Sequence, residues 1–124
     1  MTSANAAKGK AFERDVVRFL AEVFGRNVRR PHAEGFLDVG DIHLDPFAIQ
    51  AKNYANVATA LTVGVAGAQV QATRAEQDFG VVVIKARNRP IGDARVALTL
   101  TDFRRLVARL RDAETAAARC DRKH

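Results

Sequence analysis

The chain is nearly devoid of cysteine: Cys120 is the only one in 124 residues, and it stands in a polar C-terminal stretch. A single thiol excludes an internal disulfide framework and a cysteine zinc site. It fits a reducing compartment. No histidine–cysteine spacing resembles a zinc site either. Long apolar runs are also missing, and nothing approaches the roughly 20 residues that a membrane-spanning helix needs. Residues 1–9 lack the apolar stretch and cleavage pattern of a secretory signal. These absences lead us to expect a cytoplasmic protein with no membrane partner. The chain is short enough for one core only. Its 48% apolar content excludes a predominantly disordered chain. There is no internal repeat and no linker.

What the chain has in excess is positive charge. Lys and Arg number 20 against 14 Asp and Glu, for a net charge of +6. Arginine dominates, and its planar fork suits bidentate phosphate contacts. A basic balance is shared by many nucleic-acid and membrane-surface proteins and points to a polyanion without naming it. The distribution says more. Residues 1–37 and 101–124 are basic, whereas residues 38–56 carry Asp38, Asp41 and Asp45 against Lys52 alone. A small acidic centre in a basic protein is what a metal site facing a polyanion requires. Turn-marking aspartates would give the same pattern.

Hydrophobic spacing predicts the elements. Phe12, Val16, Phe19, Leu20 and Val23 recur at helical intervals, so roughly 4–25 reads as an amphipathic helix ending at Gly25. Asn27–Arg30 reads as a short strand, and Pro31–Gly35 as a loop. Two alternating runs, 38–44 and 47–52, flank Asp45-Pro46 and form a β-hairpin. Residues 57–78 read as a second helix. Val81–Ile84 is short and apolar enough for a buried central strand, and Ala94–Leu100 reads as another strand. A third helix starts at Thr101-Asp102, with Thr101 as N-cap and Phe103, Leu106, Val107 and Leu110 as its stripe. From Glu114 the pattern dissolves. We therefore expect one domain over 1–113, with 114–124 a frayed basic tail. The order αβββαββα argues for an α/β fold, a mixed sheet flanked by helices.

The hairpin carries the chemistry. Side chains alternate faces along a strand, so Asp41 and His43 share one face, as do Ala48, Gln50 and Lys52. A symmetric turn at Asp45-Pro46 pairs Leu44 with Phe47, Ile42 with Ile49 and Asp41 with Gln50. Opposed residues have Cβ atoms roughly 4.5–5.5 Å apart, and Lys52 is the diagonal neighbour of Asp41. A hard cation such as Mg²⁺, or Mn²⁺, takes oxygen ligands and keeps several waters beside one or two carboxylates. Asp41, the Gln50 carbonyl and the backbone carbonyl of Ala51 would supply such ligands. Lys52 would orient a water or stabilise charge on a phosphoryl group. An ordinary solvated hairpin face, with Asp41 and Lys52 a surface pair, has the same residues.

These residues also carry a resemblance. Gly40-Asp41-Ile42, followed across the hairpin by Ala48-Ile49-Gln50-Ala51-Lys52-Asn53, resembles the D…(E/Q)xK hairpin of PD-(D/E)xK nucleases. Lys8-Gly9-Lys10-Ala11-Phe12-Glu13-Arg14 resembles the opening helix of archaeal-type Holliday junction resolvases, in which a glutamate joins the metal site. Glu13 occupies that position. Val83 to Pro90 resembles the basic stretch after the central strand in small resolvase-like proteins of actinobacteria and their phages. The resemblance spans roughly residues 8–107. It departs from the common pattern at Gln50, where glutamate is usual. Glutamine also occurs in branches similar to methyl-directed restriction endonucleases. A neutral ligand there weakens metal affinity unless Glu13 or Asp38 compensates.

The resemblance implies a restriction-endonuclease-like core and a metal-dependent endonuclease acting on branched DNA, with Asp41, Gln50, Lys52 and Glu13 catalytic. Two cuts on a four-way junction imply a homodimer. Related nucleases place a glutamine on the helix after the hairpin, for which Gln69 is the candidate ahead of Gln71. Lys8, Lys10, Arg14, Arg29, Arg30, Lys85, Arg87 and Arg89 form the candidate phosphate footprint, and His43 a further contact. The alternatives are a nuclease of the same chemistry on other DNA, of restriction or repair type, and a DNA-binding relative without catalysis.

Overall fold

The computed structural model describes residues 3–31 and 40–122, with side chains for 7–31 and 40–121. Asp38 lies outside the described residues. The elements are α1 (Ser3–Phe24), β1 (Ile42–Leu44), β2 (Phe47–Lys52), α2 (Val57–Arg74), β3 (Phe79–Ile84), β4 (Arg95–Ala97) and α3 (Leu100–Arg122). They form one four-stranded mixed sheet in the order β1-β2-β3-β4. β1 and β2 are antiparallel, β2 and β3 parallel with α2 as their crossover, and β3 and β4 antiparallel.

Alternation decides which helix each strand face meets. Ile49, Val81 and Val83 pack with Ile42 and with Phe12 and Val16 of α1. Val82 and Ile84 point the other way and pack with Ala60 of α2. All six residues of β3 are buried, as its apolar run predicts for a central strand. The α2 face consists of small residues, Ala60, Gly64, Ala68 and Ala72, all buried. Their lack of bulk lets the helix backbone approach the sheet. The approach is closest at Gly80, where a Cβ would collide with the Ala68 carbonyl.

The hairpin register is the one that turn symmetry predicts: Ile42 opposes Ile49 and Leu44 opposes Phe47. The Asp45–Pro46 peptide is cis. At this end of the hairpin Asp45 accepts from Gln77 Nε2 at 2.7 Å and from Arg29 Nη2 at 2.8 Å. The Gln77 hydrogen bond, reinforced by the Arg29 charge, lowers the Asp45 pKa.

Four expectations need correction. The strand expected over Asn27–Arg30 does not form. Gly25, at φ +55°, opens a 3₁₀ turn over Gly25–Asn27, and only Arg29 then pairs, as an isolated bridge with His43. Pro31 follows at once and has no N–H to continue a ladder. The observed order is thus αββαββα. Second, α2 stops at Arg74 rather than 78. Glu76 sits at φ +56° and redirects the chain toward β3. Third, β4 covers only Arg95–Ala97, and the cap of α3 is Thr99, not Thr101: Thr99 Oγ1 accepts from Asp102 N–H at 3.1 Å. Fourth, residues 114–122 are helical rather than frayed. Ala113, Ala116, Ala117 and Ala118 favour helix intrinsically, so an apolar stripe is not required.

Only part of the apolar stripe of α3 is covered, Leu106 and Val107 being half-buried. Arg105 and Arg109 hold the helix to the loop before β3, and Asp102 meets Gln69 of α2. Arg105 Nη1 donates to the Asp78 carbonyl at 3.2 Å, and Arg109 Nη1 to Asp78 Oδ2 at 2.8 Å. Both guanidinium groups lie over the Phe79 ring, at 4.8 and 5.3 Å from its centroid. Leu100, Phe103 and Leu110 remain 81%, 51% and 56% exposed. No described helix is long and apolar enough to cross a membrane.

Candidate functional site

β2 extends past the start of β1, and the candidate site forms there. Gly40, at φ +97°, turns the chain into the hairpin. Asp41 N–H donates to the Ile49 carbonyl at 3.0 Å. The Asp41 carboxylate then acts as the next strand partner, its Oδ2 accepting from Ala51 N–H at 2.9 Å. A residue's N–H and C=O point to the same side of a strand, so the Ala51 carbonyl faces the edge where that carboxylate lies. Lys52 has its backbone turned to the other side, its carbonyl accepting from Lys85 N–H at 3.0 Å.

A second carboxylate arrives from α1. Glu13 is one residue from Phe12, which is buried in the core, and its side chain is 26% exposed. Burial raises its pKa, and the neighbouring Asp41 charge raises it further; Arg30, Lys10 and Arg14 pull in the opposite direction. Arg30 Nε lies 3.6 Å from Glu13 Oε1. Two carboxylates that repel one another beside a backbone carbonyl make a donor set that a hard divalent cation would relieve. Among the described residues no three His, Cys, Asp or Glu side chains gather as a metal cluster. The candidate donors here are the Asp41 and Glu13 carboxylates and the Ala51 carbonyl, and Mg²⁺ sites commonly take only one or two carboxylates from the protein.

Gln50 is engaged elsewhere. It is buried under α2, and with its amide turned so that both ends find partners, as the neighbouring donors and acceptors require, the nitrogen donates to the Gly64 carbonyl at 3.3 Å. Its oxygen accepts from Gln71 Nε2 at 3.1 Å and from Lys52 Nζ at 3.0 Å. Two donors occupy the two lone pairs of that oxygen. The arrangement fixes the ammonium of Lys52, which also lies 5.3 Å from the centroid of the Tyr54 ring.

The other predicted residues divide by position. Lys8 and Arg87 line a cleft of about 620 Å³ beside Lys52. Lys10, Arg14 and Arg30 surround Glu13 closely enough to shift its pKa. Lys85 and Arg89 border a separate small hollow, where Arg89 pairs with Asp93 at 3.3 Å. Arg29 is bound to Asp45 at the opposite end of the hairpin. His43 is buried, with its backbone bridged to Arg29. Gln69 does not reach the site. Its amide nitrogen lies 3.3 Å from Thr99 Oγ1 and 3.5 Å from Asp102 Oδ2, at the start of α3. Gln71 is the glutamine that meets the hairpin. The signal was available, because Gln71 lies seven residues after Gly64 and three after Ala68, on the sheet-facing stripe. Tyr54 was also missed, since nothing but its nearness to Lys52 marks it. No family model, curated protein or solved structure matches the chain.

Proposed function

We propose that this protein is a metal-dependent endonuclease with a restriction-endonuclease-like core, which hydrolyses DNA phosphodiester bonds and acts on branched DNA. One observation carries the reading: the Asp41 carboxylate is fixed on the Ala51 N–H at the edge of β2 with Lys52 as the next residue, and Glu13 of α1 is near enough for the Asp41 charge to bear on it. Asp41, Glu13 and the Ala51 carbonyl would hold Mg²⁺ or Mn²⁺, which when bound acidifies a water and neutralises charge on the phosphate. Lys52 stabilises the charge that builds on the phosphoryl oxygens. Gln50, the hydrogen-bond partner of that ammonium, is a positioning residue in this scheme and not a ligand. Lys8 and Arg87 bind flanking phosphates.

Preference for branched DNA rests on the resemblance described above. A homodimer would present two such sites, and the exposed stripe of Leu100, Phe103 and Leu110 on α3 favours self-association through that helix. A second reading, DNA binding without cleavage, is favoured by Gln50, which takes the place of a third acidic ligand and has its oxygen occupied.

The test is cleavage of a labelled four-way junction beside a linear duplex of matching sequence, with Mg²⁺ or EDTA, by wild type and Asp41→Ala. Paired nicks on the junction, lost in EDTA and in the variant, are expected. Equal cutting of both DNAs would leave a nuclease without junction preference. Binding without cutting in Mg²⁺ would favour the second reading.

A further inference from the structure

The cleft beside Lys52 has a composition that the cleavage chemistry does not require. Lys8 comes from α1, Lys52 and Tyr54 from the end of β2 and its loop, and Arg87 from the segment after β3. Among the described residues three cations line it and no carboxylate does. The first turn of α2 also borders it, through Asn56 and Thr59, which adds the positive end of a helix dipole. Tyr54, the only tyrosine of the chain, is 38% exposed and walls the cleft. The cleft is half open to solvent, and its volume of about 620 Å³ falls in the range of small-ligand sites.

Phosphate binding alone would explain the cations but not the aromatic ring. An exposed ring set among phosphate-binding cations is the arrangement by which proteins hold unpaired nucleotides, with phosphates on the cations and a base on the ring. Bases in a continuous duplex are stacked on one another and offer no face. We propose that this cleft takes a single unpaired nucleotide next to the phosphate to be cut, its base stacked on Tyr54 and its phosphates on Lys8 and Arg87. The proposal rests on the nuclease reading and deepens it: the substrate is DNA with an unpaired or opened strand at the cut site, and Tyr54 is what distinguishes it from plain duplex.

The chain provides its own probe. Tyr54 is its only tyrosine and it has no tryptophan, so intrinsic tyrosine emission reports this ring alone. Binding is measured in EDTA and low salt to a labelled single-stranded oligothymidylate, to the same strand made abasic, and to a duplex. Wild type, Tyr54→Phe and Tyr54→Leu are compared, with circular dichroism to verify folding. The expected result is quenching by the oligothymidylate but not by the abasic strand. Affinity for the thymidylate strand falls roughly 5- to 100-fold in Tyr54→Leu and is retained in Tyr54→Phe, with duplex affinity unchanged. Equal affinity for the thymidylate and abasic strands, or a Tyr54→Leu variant that binds like wild type, overturns the proposal. If the same preparation still cuts DNA with Mg²⁺, only this inference falls. If it binds none of the three DNAs, the nuclease reading falls with it.

Discussion

Replacing Gly80 with alanine tests how the sheet holds the site. Gly80 lies in the central strand β3 opposite Ala48 of β2. A Cβ built there collides with the carbonyl of Ala68 and comes within 2.8 Å of the Gln69 nitrogen. These are backbone atoms in the interior of α2, so no side-chain rotation relieves the clash and the helix itself must move outward. Overpacking a core costs typically about 1–3 kcal/mol, and a backbone collision belongs at the upper end. Alanine recovers about 0.5–1 kcal/mol through the smaller entropy of its unfolded chain. The net loss is about 2–2.5 kcal/mol. For a chain of this size that lowers Tm by roughly 10 °C, or the urea midpoint by about 1–2 M. Gly9→Ala is the matched control, because a Cβ at Gly9 meets nothing within 4 Å. In α1 that change should stabilise by about 0.5–1 kcal/mol. The displaced helix also carries Gly64 and Gln71, the partners of Gln50. Cleavage by Gly80→Ala should therefore fall although residue 80 touches nothing in the site. A Gly80→Ala protein within about 0.5 kcal/mol of wild type would refute the close seating of α2 on β3.

Other outcomes follow from the same geometry. Lys52→Ala should lower kcat roughly 10²–10³-fold with DNA affinity largely kept, as single-turnover cleavage and anisotropy would show. Gln50→Leu should cost about 2–4 kcal/mol in urea denaturation, since it leaves the buried Gly64 carbonyl and the Gln71 amide without this partner, and it should reduce cleavage by releasing Lys52. Burial and the Asp41 charge hold the Glu13 pKa above its ordinary value of 4.5, so ionising it costs folding stability. The penalty is absent below the unfolded pKa near 4.5 and complete above the raised folded value. Glu13→Gln should therefore raise Tm at pH 7 in EDTA, with the gain vanishing toward pH 4, and should abolish cleavage; a gain that grew on acidification would have the wrong sign. Phe103→Ser should leave the Tm of dilute protein nearly unchanged, since the ring is half exposed, yet reduce self-association in sedimentation at higher concentration.

The sequence by itself determined what depends on local periodicity. The hairpin register followed from one turn and two alternating runs as far as Ile42 and Ile49, beyond which Asp41 bonds the Ile49 carbonyl and the Ala51 N–H rather than facing Gln50. The central strand followed from an apolar run too short for a helix. The start and stop of α1 were legible because Gly25 ends it. Only the tertiary structure decided the rest, and the reasons are non-local. Residues 27–30 pair at a single point because a 3₁₀ turn and Pro31 bracket them. Phe103 and Leu110 of the α3 stripe lie outward because Asp78 and Phe79, remote in sequence, bind Arg105 and Arg109 on another side of the helix. Gln71, not Gln69, meets the hairpin because α2 must turn its small residues toward β3, which fixes its rotation about its own axis. The same rotation places Gln71 and the Gly64 carbonyl over Gln50, so that its amide secures Lys52. Which face of a helix a fold uses is set by what the helix packs against, and that information is spread over the whole chain.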